Sequence, residues 1–264
     1  MKQDVIPPKS RYNIEALARG LEILSLFSYE TPALSLSQVV DLLQINKSTA
    51  YRVLSTLQSM GYLEQSSSTR LYRPGLKVLQ LGFTAINTLE LRQVTRPFLE
   101  KLSQQIGETV SLAVLDGFRT IYVDRIRNQA IVGVVLGVGS SLPAHCTALG
   151  KVLLAGLPDD ELRTLLASQD LSVYTPKTIA TKETLLAELQ TIREQGYALD
   201  DEELASGLRA IAAPVRNLSK QTVASVNVTG TTLNITQERL FEEILPALLS
   251  TTNQISNALG VFSG

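Results

Sequence analysis

The chain has 264 residues with 24 Lys/Arg against 25 Asp/Glu, a length that suits one large domain or two modest ones. Charge is unevenly spread, with eight Lys/Arg against six Asp/Glu over residues 1–73 and 16 against 19 thereafter, so a polycation acting through net charge alone is excluded. Cys146 is the single cysteine, the longest apolar run (Ala130–Val138) is far too short to span a bilayer, and the Met-Lys-Gln-Asp start has no long apolar core; a disulfide framework, a Cys-rich zinc site and a membrane partner are excluded, and a reducing, cytoplasmic setting is expected.

A first helix is expected over about Ile14–Ser28, with Ile14, Leu17, Leu21 and Leu24 as its stripe and Ile23 and Phe27 widening it. That width exceeds what one small domain needs, so part of it is read as a dimer contact. Ser35-Leu36-Ser37-Gln38 fits a capping box opening a second helix, which turns Leu36, Val39, Val40 and Leu43 inward. The short turn Gln44-Ile45-Asn46 leads into a third helix capped by Asn46 and stopped at Gly61.

In that third helix Ala50, Val53, Leu54, Leu57 and Met60 form one apolar face. The other side carries Lys47, Ser48, Thr49, Tyr51, Arg52, Ser55, Thr56 and Ser59, hydroxyls and cations with no acid among them. A surface of donors suits the phosphates and base edges of DNA. Tyr62–Gln65 and Arg70–Arg73 read as strands around a Ser-rich tip. Helix, short turn, helix and hairpin in this order make a winged helix-turn-helix. Ser48, Thr49, Tyr51, Arg52 and Ser55 are expected in the major groove, with Lys47, Arg70 and Arg73 on phosphates.

Pro74-Gly75 punctuates the hairpin, and Leu76, Leu79, Phe83 and Ile86 suggest a linking helix. Leu91, Val94, Phe98, Leu102 and Ile106 suggest another, ended by Gly107. Strands follow at Val110–Val114, Thr120–Val123 (after an Asp116-Gly117 turn), Ala130–Val138, Ile211–Val215 and Val223–Val228. Helices are expected at Ala148–Ala155, Asp159–Ala167, Lys182–Glu194 and Gln237–Leu259. The mixture points to an α+β domain on a largely antiparallel sheet. The organisation expected is a DNA-binding domain over 1–73, a linker helix over 74–89, and an effector-binding and oligomerisation domain over 90–264.

Three segments could line a pocket in that last domain: Leu142–Lys151, where a loop enters a helix N-terminus; Asp200–Arg209; and the strand bearing Asn227 and Thr229. Asp201, Glu202 and Glu203 could equally form a solvated turn, and Arg209 could pair a ligand carboxylate or one of those acids. His145 and Cys146 make a poor catalytic dyad, because neighbours on extended chain point to opposite sides. Gly150-Lys151 lacks the glycine and hydroxyl residue of a phosphate loop. No catalytic residue, metal site or cofactor is expected.

The chain resembles the IclR-type transcriptional regulators from about Tyr12 to Leu259. The resemblance is carried by Leu17-Ala18-Arg19-Gly20-Leu21, Ser48-Thr49-Ala50-Tyr51-Arg52-Val53-Leu54, Gly61-Tyr62-Leu63, Gly107-Glu108-Thr109-Val110, His145-Cys146-Thr147-Ala148-Leu149-Gly150-Lys151 and Gly196-Tyr197-Ala198-Leu199-Asp200-Asp201-Glu202. It implies an N-terminal winged helix-turn-helix, a linker helix and a GAF/profilin-like α/β effector domain. It implies homodimers, or dimers of dimers, on pseudo-palindromic promoter DNA, with DNA binding shifted by a small organic acid. The positions matching the family's ligand site are Leu142, Ala148, Leu149, Asp200, Leu208, Ala210, Asn227 and Thr229. Ala210 stands where some members have cysteine, and Asn227 and Thr229 where some have serines, so a small-keto-acid specificity does not carry over. Gly107–Leu157 looks nearest to members that sense aromatic acids or their breakdown products. The competing readings are a ligand-independent architectural DNA-binding protein and an enzyme using His145 and Cys146.

Overall fold

The computed structural model describes residues 14–28, 31–87, 90–128 and 136–262. It divides into two compact units, Met1–Thr88 and Leu89–Gly264. In the first, helices α1 (Glu15–Ser25), α2 (Leu36–Leu43) and α3 (Lys47–Ser59) precede a ribbon of β1 (Leu63–Gln65) and β2 (Tyr72–Pro74), followed by helix α4 (Leu76–Asn87). Ser35 caps α2 with the expected box: its hydroxyl accepts from the Gln38 amide, and the Gln38 side chain accepts from the Ser35 amide at 2.9 Å. Asn46 caps α3 by accepting from the Thr49 amide at 2.8 Å. Gly61 follows α3 with φ +78°, a left-handed conformation that glycine adopts without strain. The chain leaves the ribbon so close to this turn that a Cβ on Gly75 would lie 2.5 Å from the Gly61 carbonyl oxygen.

Ile23, Leu34, Val39, Ala50, Leu54, Leu63 and Tyr72 form the core of this unit. Leu34 bridges to Tyr72, an extra rung beside the ribbon. Two sequence expectations shift. The buried residues of α1 are Gly20 and Ile23, whereas Ile14, Leu17 and Leu21 are each more than half exposed. Met60, expected on the apolar face of α3, is 50% exposed: the helix ends at Ser59 and Met60 is its C-cap.

The second unit is a six-stranded antiparallel sheet in the order β5-β4-β3-β8-β7-β6. The strands are β3 (Thr109–Asp116), β4 (Arg119–Ile126), β5 (Ser141–Pro143), β6 (Ala198–Asp201), β7 (Leu208–Arg216) and β8 (Thr222–Thr231). Helices α5 (Glu90–Ile106) and α10 (Leu245–Phe262) share a core with one sheet face through Leu99, Leu102, Val226, Val228, Leu248 and Ile255. A short α9 (Gln237–Arg239) and a π-turn (Leu240–Ile244) lead into α10. On the other face lie α6 (Ala148–Ala155), α7 (Asp159–Ala167) and α8 (Lys182–Gln195), with Leu149, Leu154, Leu162, Leu185 and Leu189. Period-two alternation serves both cores: Ala224, Val226 and Val228 point one way, leaving Ser225, Asn227 and Thr229 for the α6 side. The short strands β5 and β6 were not anticipated. Of the apolar strand expected at Ala130–Val138, residues 130–135 lie outside the described residues, and 136–138 form no strand but lead into a turn.

Candidate DNA-binding surface and effector pocket

The side of α3 opposite its buried Ala50 and Leu54 exposes Lys47, Ser48, Tyr51, Arg52 and Ser55, with Thr49 half-buried at its margin. Three hydroxyls are occupied within the helix. Ser48 donates to the Asn46 cap at 2.8 Å, Thr56 to the Arg52 carbonyl and Ser59 to the Thr56 carbonyl. No carboxylate pairs with Lys47 or Arg52 among the described residues, so both charges are available to an anion. On the ribbon, Arg70 holds φ +59° at the tip. Arg73 crosses the ribbon to Glu64 at 2.9 Å, so its charge is already compensated, a partnership the sequence reading lacked.

In the second unit a pocket opens between the sheet and the start of α6. It is a small cavity of about 20 Å³, lined by Tyr122, Arg125, Leu136, Thr147, Ala148, Asp200, Leu204, Leu208, Ala210, Asn227 and Thr229. Six of the eight residues marked by the resemblance are brought together here: Ala148, Asp200, Leu208, Ala210, Asn227 and Thr229. The other two are not. Leu149 points into the apolar core beneath α6 with no exposed surface, and Leu142 sits on the short strand β5, paired to Thr120 and packed on that same core.

Thr147 caps α6, accepting from the Gly150 amide at 3.1 Å and donating to the Pro143 carbonyl. The amides of Ala148 and Leu149, in the first turn, have no intrahelical acceptor. Asp200 is 1% exposed, and its Oδ1 accepts from the Glu203 and Leu204 amides. Burial first, and the Glu203 charge second, push its carboxyl up to about 7. Burial pushes the Tyr122 hydroxyl up to about 12, so it is a neutral donor or acceptor at physiological pH. Asn227 Oδ1 is buried with no hydrogen-bond partner among the described residues. Arg209 does not face the pocket as a free cation; it pairs with Asp201 at 2.6 Å and donates to the Ile235 carbonyl. Lys177 neutralises Asp201 and Glu202 at 3.1 and 2.8 Å.

The raised Asp200 pKa predicts a pH dependence. An acid that is harder to ionise folded than unfolded opposes folding once it must ionise. Its effect is absent below its ordinary value of 3.8, grows as pH rises and is complete above about 7, reaching on the order of 4 kcal/mol. Asp200→Asn should flatten the decline of the urea midpoint between pH 4.5 and 7.5; parallel profiles for the two proteins would refute the assignment.

The pair His145–Cys146 is not built for nucleophilic catalysis. The His145 ring bonds the Ser172 carbonyl through Nε2 at 3.0 Å and stacks on Phe118. Burial, then the Asp200 and Glu203 charges, push the Cys146 thiol up to about 12. Among the described residues no group of three His, Cys, Asp or Glu could hold a metal, and no helix is long and apolar enough to cross a membrane.

One unit is a winged helix-turn-helix, the fold of a DNA-binding protein, and the other is a separate α/β unit that holds a polar pocket. The chain belongs to the IclR family of bacterial transcriptional regulators: its residues 16–67 match the IclR helix-turn-helix domain, and residues 83–257 match the domain described as bacterial transcriptional regulator IclR C-terminal. It is 35% identical over 227 residues to the HTH-type transcriptional regulator XynR of Escherichia coli K12, spanning 86% of this chain and 90% of that protein. It resembles the crystal structure of Thermotoga maritima IclR with a TM-score of 0.68 at 29% identity, over 93% of this chain and 99% of that one. An IclR homologue from Microbacterium hydrocarbonoxydans, solved with 4-hydroxybenzoate, matches with a TM-score of 0.76 at 25% identity, over 92% of this chain and 98% of that one.

Proposed function

We propose that this regulator binds pseudo-palindromic promoter DNA as a homodimer, or a dimer of dimers, and that a small organic acid in the second unit modulates that binding. It works in the cytoplasm and is not an enzyme. The observation that carries the effector reading is the convergence of Asp200 (β6), Ala210 (β7), Asn227 and Thr229 (β8) with Ala148 (α6) around one polar pocket. The bound 4-hydroxybenzoate of the Microbacterium homologue supports a carboxylate effector. Ser48, Thr49, Tyr51, Arg52 and Ser55 enter the major groove, while Lys47 and Arg70 hold phosphates. Arg73 adds less to phosphate binding, since Glu64 offsets its charge.

Dimerisation is supported by apolar side chains that the first unit leaves uncovered. Ile14 at the N-cap of α1 and Leu17 and Leu21 on that helix are exposed, as are Leu76, Leu79 and Phe83 on α4. Helices with such stripes bury them against another surface. A two-fold dimer presents two recognition helices about 34 Å apart, or a multiple of that, to an inverted repeat.

The test is Arg52→Ala, measured by fluorescence anisotropy on a duplex selected from a random pool. The expected cost on the selected site is roughly 1–3 kcal/mol if Arg52 reads a guanine, with little loss on unrelated DNA. Equal weakening on every sequence would reassign Arg52 to the phosphate backbone, and no weakening would remove it from the interface.

A further inference from the structure

We infer that Gln65 is a positioning residue for DNA binding: its side-chain amide reaches across the ribbon to the Arg70 carbonyl and holds the tip arginine in the conformation that presents it to a phosphate. The inference rests on the DNA-binding reading of the first unit and assigns a part in it to a side chain that carries no charge.

Arg70 stands at the wing tip with φ +59°, a left-handed backbone in which the Cβ of an L residue crowds the following carbonyl oxygen. Glycine or asparagine takes that conformation readily, and arginine does not. An arginine kept there needs neighbours that fix the turn. The backbone supplies two bonds, from the Ser66 amide to the Leu71 carbonyl and from the Arg70 amide to the Ser66 carbonyl, each 2.9 Å. Ser66 Oγ accepts from the Thr69 amide at 3.2 Å. These bonds close the tip on itself. Gln65 ties the tip to the strand below it, because its Nε2 donates to the Arg70 carbonyl at 3.0 Å. Gln65 is half-buried and pairs in register with Tyr72, so it stands on the last rung of the ribbon before the tip.

The charge positioned in this way is the one the ribbon leaves uncompensated. Arg73 is paired with Glu64, whereas Arg70 is exposed and meets no carboxylate among the described residues. The tip is also electrostatically continuous with the recognition helix. Burial first, and Tyr51 of α3 second, push the Tyr72 hydroxyl up, while Arg70 pulls it down, so one phenol is within reach of both surfaces. A tip ordered in advance loses less conformational entropy on meeting DNA. Without the Gln65 bond the tip relaxes toward negative φ, and the guanidinium swings away from the place the fixed turn gives it.

The experiment is fluorescence anisotropy of the full chain on a duplex selected from a random pool, between about 50 and 200 mM KCl, with Gln65→Met, Arg70→Gln and the two combined. Methionine keeps the length of glutamine and removes the donor. Arg70→Gln is expected to weaken binding and to flatten the slope of log Kd against log salt by about 0.9 per wing, the share of one phosphate contact. Gln65→Met is expected to weaken binding by roughly 2- to 10-fold, the range of one neutral hydrogen bond, and to flatten the slope in the same direction. Added to Arg70→Gln, it should cost nothing more. A merely structural role would weaken binding equally with and without Arg70, and would overturn the inference, as would an unchanged affinity and slope. Gln65→Thr, suited to a strand but too short to reach, repeats the test should the methionine variant not fold. No loss on Arg70→Gln, with Arg52→Ala still weakening binding, would overturn the inference and leave α3 as the reader. No loss on either would overturn the DNA-binding reading with it.

Discussion

Replacing Lys151 by methionine is expected to destabilise the second unit by roughly 3–5 kcal/mol near neutral pH, although methionine matches the length and apolar stem of lysine. Lys151 is 1% exposed, and its ammonium lies 2.5 Å from a Glu203 carboxylate oxygen and 3.1 Å from one of Glu188. The other Glu203 oxygen, Oε2, is buried and has no partner among the described residues, so Lys151 is what compensates that charge. Burial already holds the Glu203 carboxyl above its ordinary value of 4.5 despite the lysine. Without Lys151 the carboxylate remains in the interior unpaired. The sign with pH follows: below the unfolded value Glu203 is neutral in both states and the cost disappears, while above the folded value it is fully present. Urea unfolding of the full chain at pH 4 and pH 7.5 checks this; a loss as large at pH 4 as at pH 7.5 would contradict it. The Glu203 amide also donates to Asp200, so a weakened pocket is expected alongside the loss.

Gly150→Ala is expected to cost about 2–3 kcal/mol, in the opposite direction from the gain of about 1 kcal/mol that alanine normally brings inside a helix. A Cβ at Gly150 would lie 2.2 Å from the Ala144 carbonyl oxygen and 2.3 Å from the Ala144 Cα. Both are backbone atoms, so no side-chain rotation relieves the contact. The Ala144–Thr147 segment must move, and with it the Thr147 cap that begins α6 and one wall of the pocket. Chemical denaturation gives the stability change; a stabilised Gly150→Ala protein would show that the loop yields freely.

How much of this was legible beforehand varied with the physics involved. Capping chemistry is local, so Ser35, Gln38, Asn46 and Gly61 could be read from spacing alone. The pocket floor followed from period two along β8, which turns Asn227 and Thr229 the same way. Tyr122 and Arg125 are three residues apart and should face opposite sides of a regular strand. They share a face because Leu112 pairs with Asp124 and Ala113 with Tyr122, leaving Val123 as an extra residue. Such a bulge resets the alternation and leaves no mark in the spacing of hydrophobic residues. Arg125, which pairs in register with Ser111 and through it neighbours Asn227, was therefore invisible to a periodicity argument. The Arg73–Glu64 pair depends on ribbon register, which the Ser-rich tip did not specify. On α1 the 3.6-residue pattern was visible, but not which side was inward. Gly20 and Ile23 took the core, and the leucine stripe was left outside.

The central claim is that one chain couples an α3-and-wing DNA reader to an acid-binding pocket. The most direct test is fluorescence anisotropy of a duplex selected from a random pool, titrated with the full chain in the absence and presence of the small carboxylate that binds it most tightly in a calorimetric panel of aliphatic and aromatic acids. The account predicts a two-fold symmetric site whose Kd shifts by roughly 5- to 150-fold when the acid is bound. An unchanged Kd, with calorimetry showing the acid bound, would contradict the coupling and leave an architectural DNA-binding protein.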